Sequence, residues 1–193
     1  KTQILLDYGA MLNHEPGFPR HIPPKEIDAI ILSHSHLDHS GAIPIFYVQN
    51  KKPLYTNRMT TELNQLLIAD FIHLSSYYLP FEYLELKTMM RSNKHLDFGV
   101  EEQVGDMRFQ LLDAGHTPGS AQVLIETEGK RFLFTGDFNT ADSKLLKGAS
   151  MDYGDLDAVI IESTYANEDH TDRLELEKRF VDACTDMVER GGT

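Results

Sequence analysis

The residues best suited to chemistry lie in one short segment, which runs from Ser33 to Gly41 with the sequence SHSHLDHSG. Three histidines and an aspartate within six positions are too dense for core packing. In a strand-to-helix turn, His34 and His36 can point to one side while Asp38 and His39 reach to another. Imidazole with carboxylate suits zinc well, and manganese or iron less specifically. The segment therefore predicts a metal centre, and a solvated polar turn is the plainer alternative.

Two more ligand-type residues lie later in the chain, and each follows a glycine. His116 lies in a segment with glycines at 115 and 119, where the backbone can turn tightly around a site. Asp137 follows a hairpin strand, and its two oxygens could bridge two metal ions about 3.5–4 Å apart. The alternatives are a structural histidine and a turn-capping aspartate. We favour metal ligands for both, because the cluster around His34 requires further ligands.

Two acidic residues at strand ends are candidates for supporting roles. Asp7 could cap a loop, or it could accept the second ring N–H of a ligand histidine, as metal-bound imidazoles usually require. We favour the orienting role for Asp7, and Glu162 has the same two interpretations at a different strand end. The remaining histidines have no ligand-type spacing and are interpreted as surface or core residues: His14, His21, His73, His95 and His170.

The elements that must position these residues are short apolar runs alternating with helical patterns. The predicted strands cover 4–6, 28–32, 53–56, 109–112, 123–126, 132–135 and 158–161, the last one as a buried strand. Glu128-Gly129-Lys130 predicts a hairpin turn. Helices are predicted over 60–78 and 172–190, and four prolines predict an irregular loop: Pro16, Pro19, Pro23 and Pro24.

The candidate residues share one position relative to these elements. Asp7, His34, His116, Asp137 and Glu162 all follow directly on strand-like runs. Polar residues at the ends of several strands are how a sheet scaffold gathers a site along one edge. The pattern therefore predicts one composite site.

Composition limits the class of protein. The chain has 193 residues, which suffices for one sizeable domain. Its 30 acidic and 18 basic residues give a net charge of −12, which argues against a broad nucleic-acid surface, although bound metals would offset several acids.

Cys184 is the single cysteine, so an internal disulfide is excluded. A single cysteine suits a reducing, cytoplasmic compartment, and we interpret Cys184 as a small core residue. No apolar run approaches the roughly 20 residues of a membrane span, and no signal peptide is visible.

The segment His34-Ser35-His36-Leu37-Asp38-His39 resembles the HxHxDH signature of the metallo-β-lactamase fold. Asp7, His116 and Asp137 match the order and rough spacing of that fold's remaining motifs. The resemblance spans about residues 4–165 and implies an α/β fold, the αββα sandwich of this family. Gly136-Asp137-Phe138 followed by Glu162-Ser163-Thr164-Tyr165 resembles the β-CASP branch, whose members are RNA-processing and DNA-repair nucleases. The sequence is most similar to archaeal RNA-processing members.

The resemblance also implies a domain organisation. Residues 1–165 correspond to a partial metallo-β-lactamase-type domain whose opening strands are absent. Residues 166–193 correspond to the lead-in to an inserted β-CASP domain, which is missing or only begun. The family has two later motifs, each with a histidine, and the chain ends before both. We therefore expect a fragment of a longer protein.

For the site, the resemblance implies two zinc ions, with manganese as an alternative. His34, His36 and His116 would bind one ion, Asp38 and His39 would begin the second site, and Asp137 would bridge them. A hydroxide held there would attack the phosphorus of single-stranded RNA.

Within that mechanism, Asp38, Asp137 and Glu162 are the predicted catalytic residues, and Asp7 and Glu162 the predicted supporting ones. Several alternatives remain open. The substrate could be DNA, or a small ester, thioester or lactam. The chain could also be an inactive metal-binding scaffold subunit. The expected partners are RNA and either a second copy of the chain or an RNA-processing complex, without a membrane.

Overall fold

The computed structural model describes residues 1–12, 17–49, 51–169 and 171–192. Within these ranges the chain forms nine strands in two sheets, together with four α-helices. The mixed α/β architecture predicted from the sequence is therefore confirmed. The interpretations given above for His14, Pro16 and His170 concern residues that lie outside the described ranges.

The first sheet is entirely parallel and is built from very short strands. Its order is β1 (Ile4–Leu6), β2 (Ala29–Ile31), β3 (Leu54–Thr56) and β4 (Asn93–His95). The two central strands, β2 and β3, are buried at every residue. Their apolar, partly β-branched sequences fit this position, since parallel strands covered on both faces are typically continuous hydrophobic runs.

Helices cover one face of this sheet. The helices α2 (Arg58–Leu74) and α3 (Tyr83–Arg91), with a 3-10 helix over Ile43–Tyr47, pack Ile68, Leu86 and Phe46 against sheet residues such as Ile30 and Leu54. α2 begins two residues before the predicted start, because Asn57 caps it by accepting a hydrogen bond from the Met59 amide. It ends at Leu74, before the predicted end at 78.

The second sheet packs against the other face of the first. It comprises β5 (Glu101–Val104), β6 (Met107–Asp113), β7 (Ala121–Thr127), β8 (Lys130–Phe134) and β9 (Ala158–Ile160), in that order. Pairing is antiparallel except between β8 and β9, which are parallel. Phe109, Leu111 and Val123 contact Ile31 and Tyr55 of the first sheet in a second apolar core. The predicted hairpin at Glu128-Gly129 joins β7 to β8.

β9 differs from its prediction in one respect. The strand forms, but the prediction that it is buried is wrong, because Val159 and Ile160 are 47 % and 61 % exposed. The physical reason is its position: β9 lies at the edge of the sheet and, among the described residues, pairs only with β8.

Contacts along the chain divide it into two units, Lys1–Glu162 and Ser163–Thr193. The division falls three residues before the boundary predicted at 165. The second unit contains α4 (Arg173–Glu189), whose first turn is capped by the Asp172 carboxylate. Cys184 is exposed on this helix, so its interpretation as a core residue is wrong. Within its own unit, α4 is the only helix or strand among the described residues, so no second described element of that unit covers the thiol. None of the described helices has the length and apolar character needed to cross a membrane.

Candidate metal centre

The fold brings the ends of five strands to one place. Asp7 follows β1, His34 lies beyond β2, and His116, Asp137 and Glu162 come shortly after β6, β8 and β9. The two sheets are joined beside this place, since the Ala121 amide donates to the Ser33 carbonyl at 2.8 Å. A single-turn helix, α1 (Leu37–Ser40), carries Asp38 and His39. The structure therefore brings the predicted residues together at the strand ends.

Three histidines and one aspartate form a first group of potential ligands. His36 Nδ1 lies 3.2 Å from His34 Nε2 and 3.3 Å from His116 Nε2. Asp137 Oδ2 lies 3.8 Å from the His34 nitrogen and 3.7 Å from the His116 nitrogen. Nitrogen ligands about 2.0–2.1 Å from a tetrahedral zinc ion are about 3.3 Å apart. The histidine spacing therefore fits a zinc ion.

A second, more open group lies on the other side of the Asp137 carboxylate. His39 Nε2 is 3.3 Å from Asp137 Oδ1 and 4.0 Å from Asp38 Oδ2. Asp137 thus presents one oxygen to the first group and the other oxygen to His39, which is the arrangement that a bridging ligand requires. Asp38 is the least enclosed candidate, with a side chain that is 68 % exposed.

The surroundings set the protonation of the histidines. Burial, reinforced by His39, His36 and His116 nearby, lowers the pKa of His34 to about 2. Burial also lowers the pKa of His116, although the charge of Asp137 opposes this effect. Both rings are therefore neutral, which is the form that binds metal. For His39, burial lowers the pKa, but the hydrogen bond and charge of Asp7, together with Asp137 and Asp38, outweigh it and raise the pKa.

Asp7 lies where its predicted orienting role requires. Its Oδ2 atom is 2.8 Å from His39 Nδ1, the ring nitrogen that faces away from Asp137. Its Oδ1 atom accepts the Ser33 amide at 2.7 Å. The backbone of Asp7 is left-handed, with φ of 55°, which is uncommon outside glycine.

Glu162 supports the loop that carries Asp137. Its Oε1 atom accepts the Phe138 amide at 3.2 Å, and its own amide donates to Thr135 Oγ1 at 3.3 Å. Its charge also opposes the effect of burial, which lowers the pKa of His116. These contacts suit the predicted supporting role, and the predicted catalytic role of Glu162 stays a prediction. Neither ligand group among the described residues includes His21, His73 or His95.

The loop that carries His116 is held by a serine that the sequence interpretation missed. Ser120 Oγ accepts the amides of His116 and Thr117, each at 3.1 Å. The preceding Gly115 has φ of 65°, and a Cβ atom there would lie 2.6 Å from the Asn139 carbonyl oxygen. The sequence alone gives only a weak indication of this role, a serine four residues after a histidine that follows a glycine. The role becomes clear only from the hydrogen bonds of the folded loop.

Replacement of Ser120 by alanine is expected to destabilise the protein by about 1–3 kcal/mol, because two loop amides lose their acceptor. Zinc affinity should fall as well, since His116 loses its fixed position. Urea unfolding and zinc titration measure the two effects.

Ser143 offers a matched control for this substitution. Its hydroxyl also accepts two loop amides, those of Leu145 and Leu146, but in a segment without candidate ligands. Ser143→Ala should leave zinc affinity unchanged. Equal losses of zinc affinity in both variants would contradict the role given to Ser120.

Comparison with known proteins gives a family and several relatives. Residues 4–180 match the model of the metallo-β-lactamase superfamily. RNase aCSPSF2 of Saccharolobus solfataricus is 33 % identical over 98 % of the chain and 39 % of its own length. Probable RNase MJ4 of Methanocaldococcus jannaschii is 34 % identical over 100 % of the chain and 47 % of its length. Cleavage and polyadenylation specificity factor 73 of Drosophila melanogaster is 31 % identical over 89 % of the chain and 26 % of its length. The chain thus spans less than half the length of each of these relatives.

Proposed function

Because the chain belongs to the metallo-β-lactamase superfamily, we propose that it forms the metal centre of a ribonuclease that hydrolyses phosphodiester bonds in single-stranded RNA. The likeness to β-CASP ribonucleases of this fold is confirmed by relatives that match nearly the whole chain. The observation that carries the proposal is the position of Asp137, whose two oxygens face two different groups of histidines.

The donor set supports zinc as the metal. Membership of this superfamily implies a divalent ion, and the first group offers three imidazoles and a carboxylate within reach of one ion. We propose two zinc ions, with manganese as the alternative. When bound, these ions lower the pKa of a water molecule and offset charge on the phosphate.

The proposal assigns each candidate residue to one of the two ion sites or to a supporting role. His34, His36 and His116 would hold the first ion, and His39 and Asp38 would begin the second site. Asp137 would be a ligand of both ions, while Asp7 contacts His39 and Glu162 contacts the loop that carries Asp137. The exposed side of the site lies at Asp38, which is where a substrate would enter.

RNA is the proposed substrate because two of the relatives are named as RNases. The net charge of −12 means that the bulk of this chain does not attract RNA. We propose instead that the scissile phosphate is recognised mainly by the charge of the bound metals. An association with an RNA-processing complex and a cytoplasmic location are part of the same proposal.

The test is a time course of the full-length protein with 5′-labelled single-stranded RNA, with and without a chelator. Cleavage should stop on chelation. We expect His36→Ala to reduce the rate by about 10³-fold or more, since it removes the nitrogen that lies between His34 and His116. The ladder of products separates endonuclease from exonuclease action.

His73→Ala is the matched control, because His73 is an exposed histidine of α2 that belongs to neither ligand group. It should cleave RNA as the unmodified protein does. If the protein is shown to hold two metals but does not cleave RNA, the proposed ribonuclease function is wrong. Hydrolysis of an ester, thioester or lactam by that protein would then favour the small-substrate hydrolase, and inactivity on all substrates would favour the scaffold.

A further inference from the structure

We propose that Ser33 is a positioning residue of the metal centre. Its hydroxyl connects Asp7 to His34 and holds the His34 ring in the form that directs a bare nitrogen toward the first ligand group. As a result, a single carboxylate orients one histidine in each group, His39 directly and His34 through Ser33. The inference rests on the proposed metal centre, and it is independent of the substrate.

The connection is short at both links. Ser33 Oγ lies 2.6 Å from Asp7 Oδ2 and 3.0 Å from His34 Nδ1. The opposite nitrogen of the same ring, His34 Nε2, is the one that faces His36 and Asp137. The serine therefore contacts the His34 nitrogen that the ligand group does not use.

The number of available hydrogens determines the direction of each bond. An ionised carboxylate only accepts, so the single hydroxyl hydrogen of Ser33 is donated to Asp7. The serine oxygen then has only lone pairs to offer His34, and Nδ1 of that ring must be the donor. A neutral imidazole with hydrogen on Nδ1 has its lone pair on Nε2, which is the atom that a metal in the first group would take.

The surroundings hold this arrangement in place. Ser33 and His34 are fully buried, so bulk water does not compete for either link. The Ser33 amide donates to the other oxygen of Asp7, which fixes the carboxylate at both ends. Gly136 also packs closely against Ser33, since a Cβ atom at position 136 would lie 2.8 Å from Ser33 Cβ. The serine side chain thus has little freedom to rotate away.

The contact of Asp7 with His39 and its connection through Ser33 to His34 can be separated by mutation. Both end on the same oxygen, Oδ2, which accepts the Ser33 hydroxyl at 2.6 Å and the His39 ring at 2.8 Å. Ser33→Ala removes the branch to His34 and leaves the branch to His39 intact. Asp7→Ala removes both. The first variant should therefore weaken one metal site, and the second variant should weaken two.

Calorimetric titration of the metal-free full-length protein with zinc tests this pattern. We expect Ser33→Ala to weaken zinc binding about 10–100-fold at one site, which is the range for loss of a residue that orients a metal ligand. Ser40→Ala is the matched control, since it deletes another buried hydroxyl of the same segment, one that donates to the Ser35 carbonyl at 3.0 Å. It should leave both affinities within about threefold of the unmodified protein. Equal affinities in Ser33→Ala and Ser40→Ala would overturn the inference.

A second measurement leaves Ser33 unchanged and therefore does not depend on whether a Ser33 variant folds. Nitrogen NMR of the zinc-loaded protein with labelled histidine reports which ring nitrogen carries hydrogen, and His34→Gln assigns the signal. Hydrogen on Nδ1 of His34 supports the inference, and a bare Nδ1 overturns it. Absence of zinc binding by the unmodified protein would overturn both this inference and the metal centre. Zinc binding without RNA cleavage would overturn the proposed function alone.

Discussion

If the proposed two-zinc centre is correct, replacement of Asp137 by asparagine reduces the zinc content from two ions to one or none. RNA cleavage should fall by about 10³-fold or more, since a two-metal reaction depends on the separation of the ions. The reason is that the two carboxylate oxygens face different groups, Oδ2 toward His34 and His116, and Oδ1 toward His39. Asparagine keeps the shape but offers one oxygen and no charge. Metal analysis after gel filtration and the labelled-RNA time course measure the two losses.

Asp142→Asn provides the matched control for this substitution. Asp142 lies in the same connection between β8 and β9 but is exposed and pairs with Lys147. Its replacement should change neither zinc content nor cleavage. Full zinc content in Asp137→Asn would show that Asp137 is not the bridging ligand.

Replacement of Gly9 by alanine is expected to unfold the first-strand side of the metal centre. A Cβ atom at Gly9 would overlap the carbonyl group of Asp38 and would lie 2.6 Å from the His39 amide. The segment cannot move aside easily, because the amides of Tyr8 and Ala10 donate to backbone carbonyls of α1 on both sides of Gly9. We expect a loss of about 3 kcal/mol or more in the free energy of unfolding, at the upper end of overpacking effects. Urea unfolding measures this loss, and zinc titration should show weakened binding.

Gly129→Ala separates this steric effect from ordinary glycine strain. Gly129 has φ of 73°, yet a Cβ atom there would have no neighbour within 4 Å. Its replacement should cost only about 1 kcal/mol, from the left-handed backbone. If Gly129→Ala loses more free energy of unfolding than Gly9→Ala, the close contact between Gly9 and α1 is not important for stability.

The sequence by itself determined the ligand types and most of the strands. His34, His36, Asp38 and His39 are close in the chain, so their covalent spacing alone restricts them to one turn. The strands β1, β2, β3 and β6 to β9 follow from short apolar runs, because such runs are a local signal for a strand even where the strand is only partly buried. The clustering of candidate ligands at the strand ends was predictable as well, because each of these residues directly follows a recognisable strand in the sequence.

Several elements were missed because their local signals are weak. α3 carries mixed polar and apolar residues, and its start depends on a capping box in which the side chains of Glu82 and Glu85 each bond the other's backbone. β4 and β5 are short and largely polar edge strands, with sequences NKH and EEQV. Such strands are specified by pairing with β3 and β6 rather than by their own sequence.

Only the tertiary structure decided how distant residues combine. His36 and His116 are 80 positions apart in the sequence, and their nitrogens reach 3.3 Å only because the two sheets pack face to face. The same packing decides which Asp137 oxygen faces which group. Pairing of β1 with β2 within the first sheet brings Asp7 to Ser33, whereas His34 adjoins Ser33 in the sequence. The types of the candidate ligands are fixed by local sequence, whereas the distances between them arise from long-range packing that no local pattern encodes.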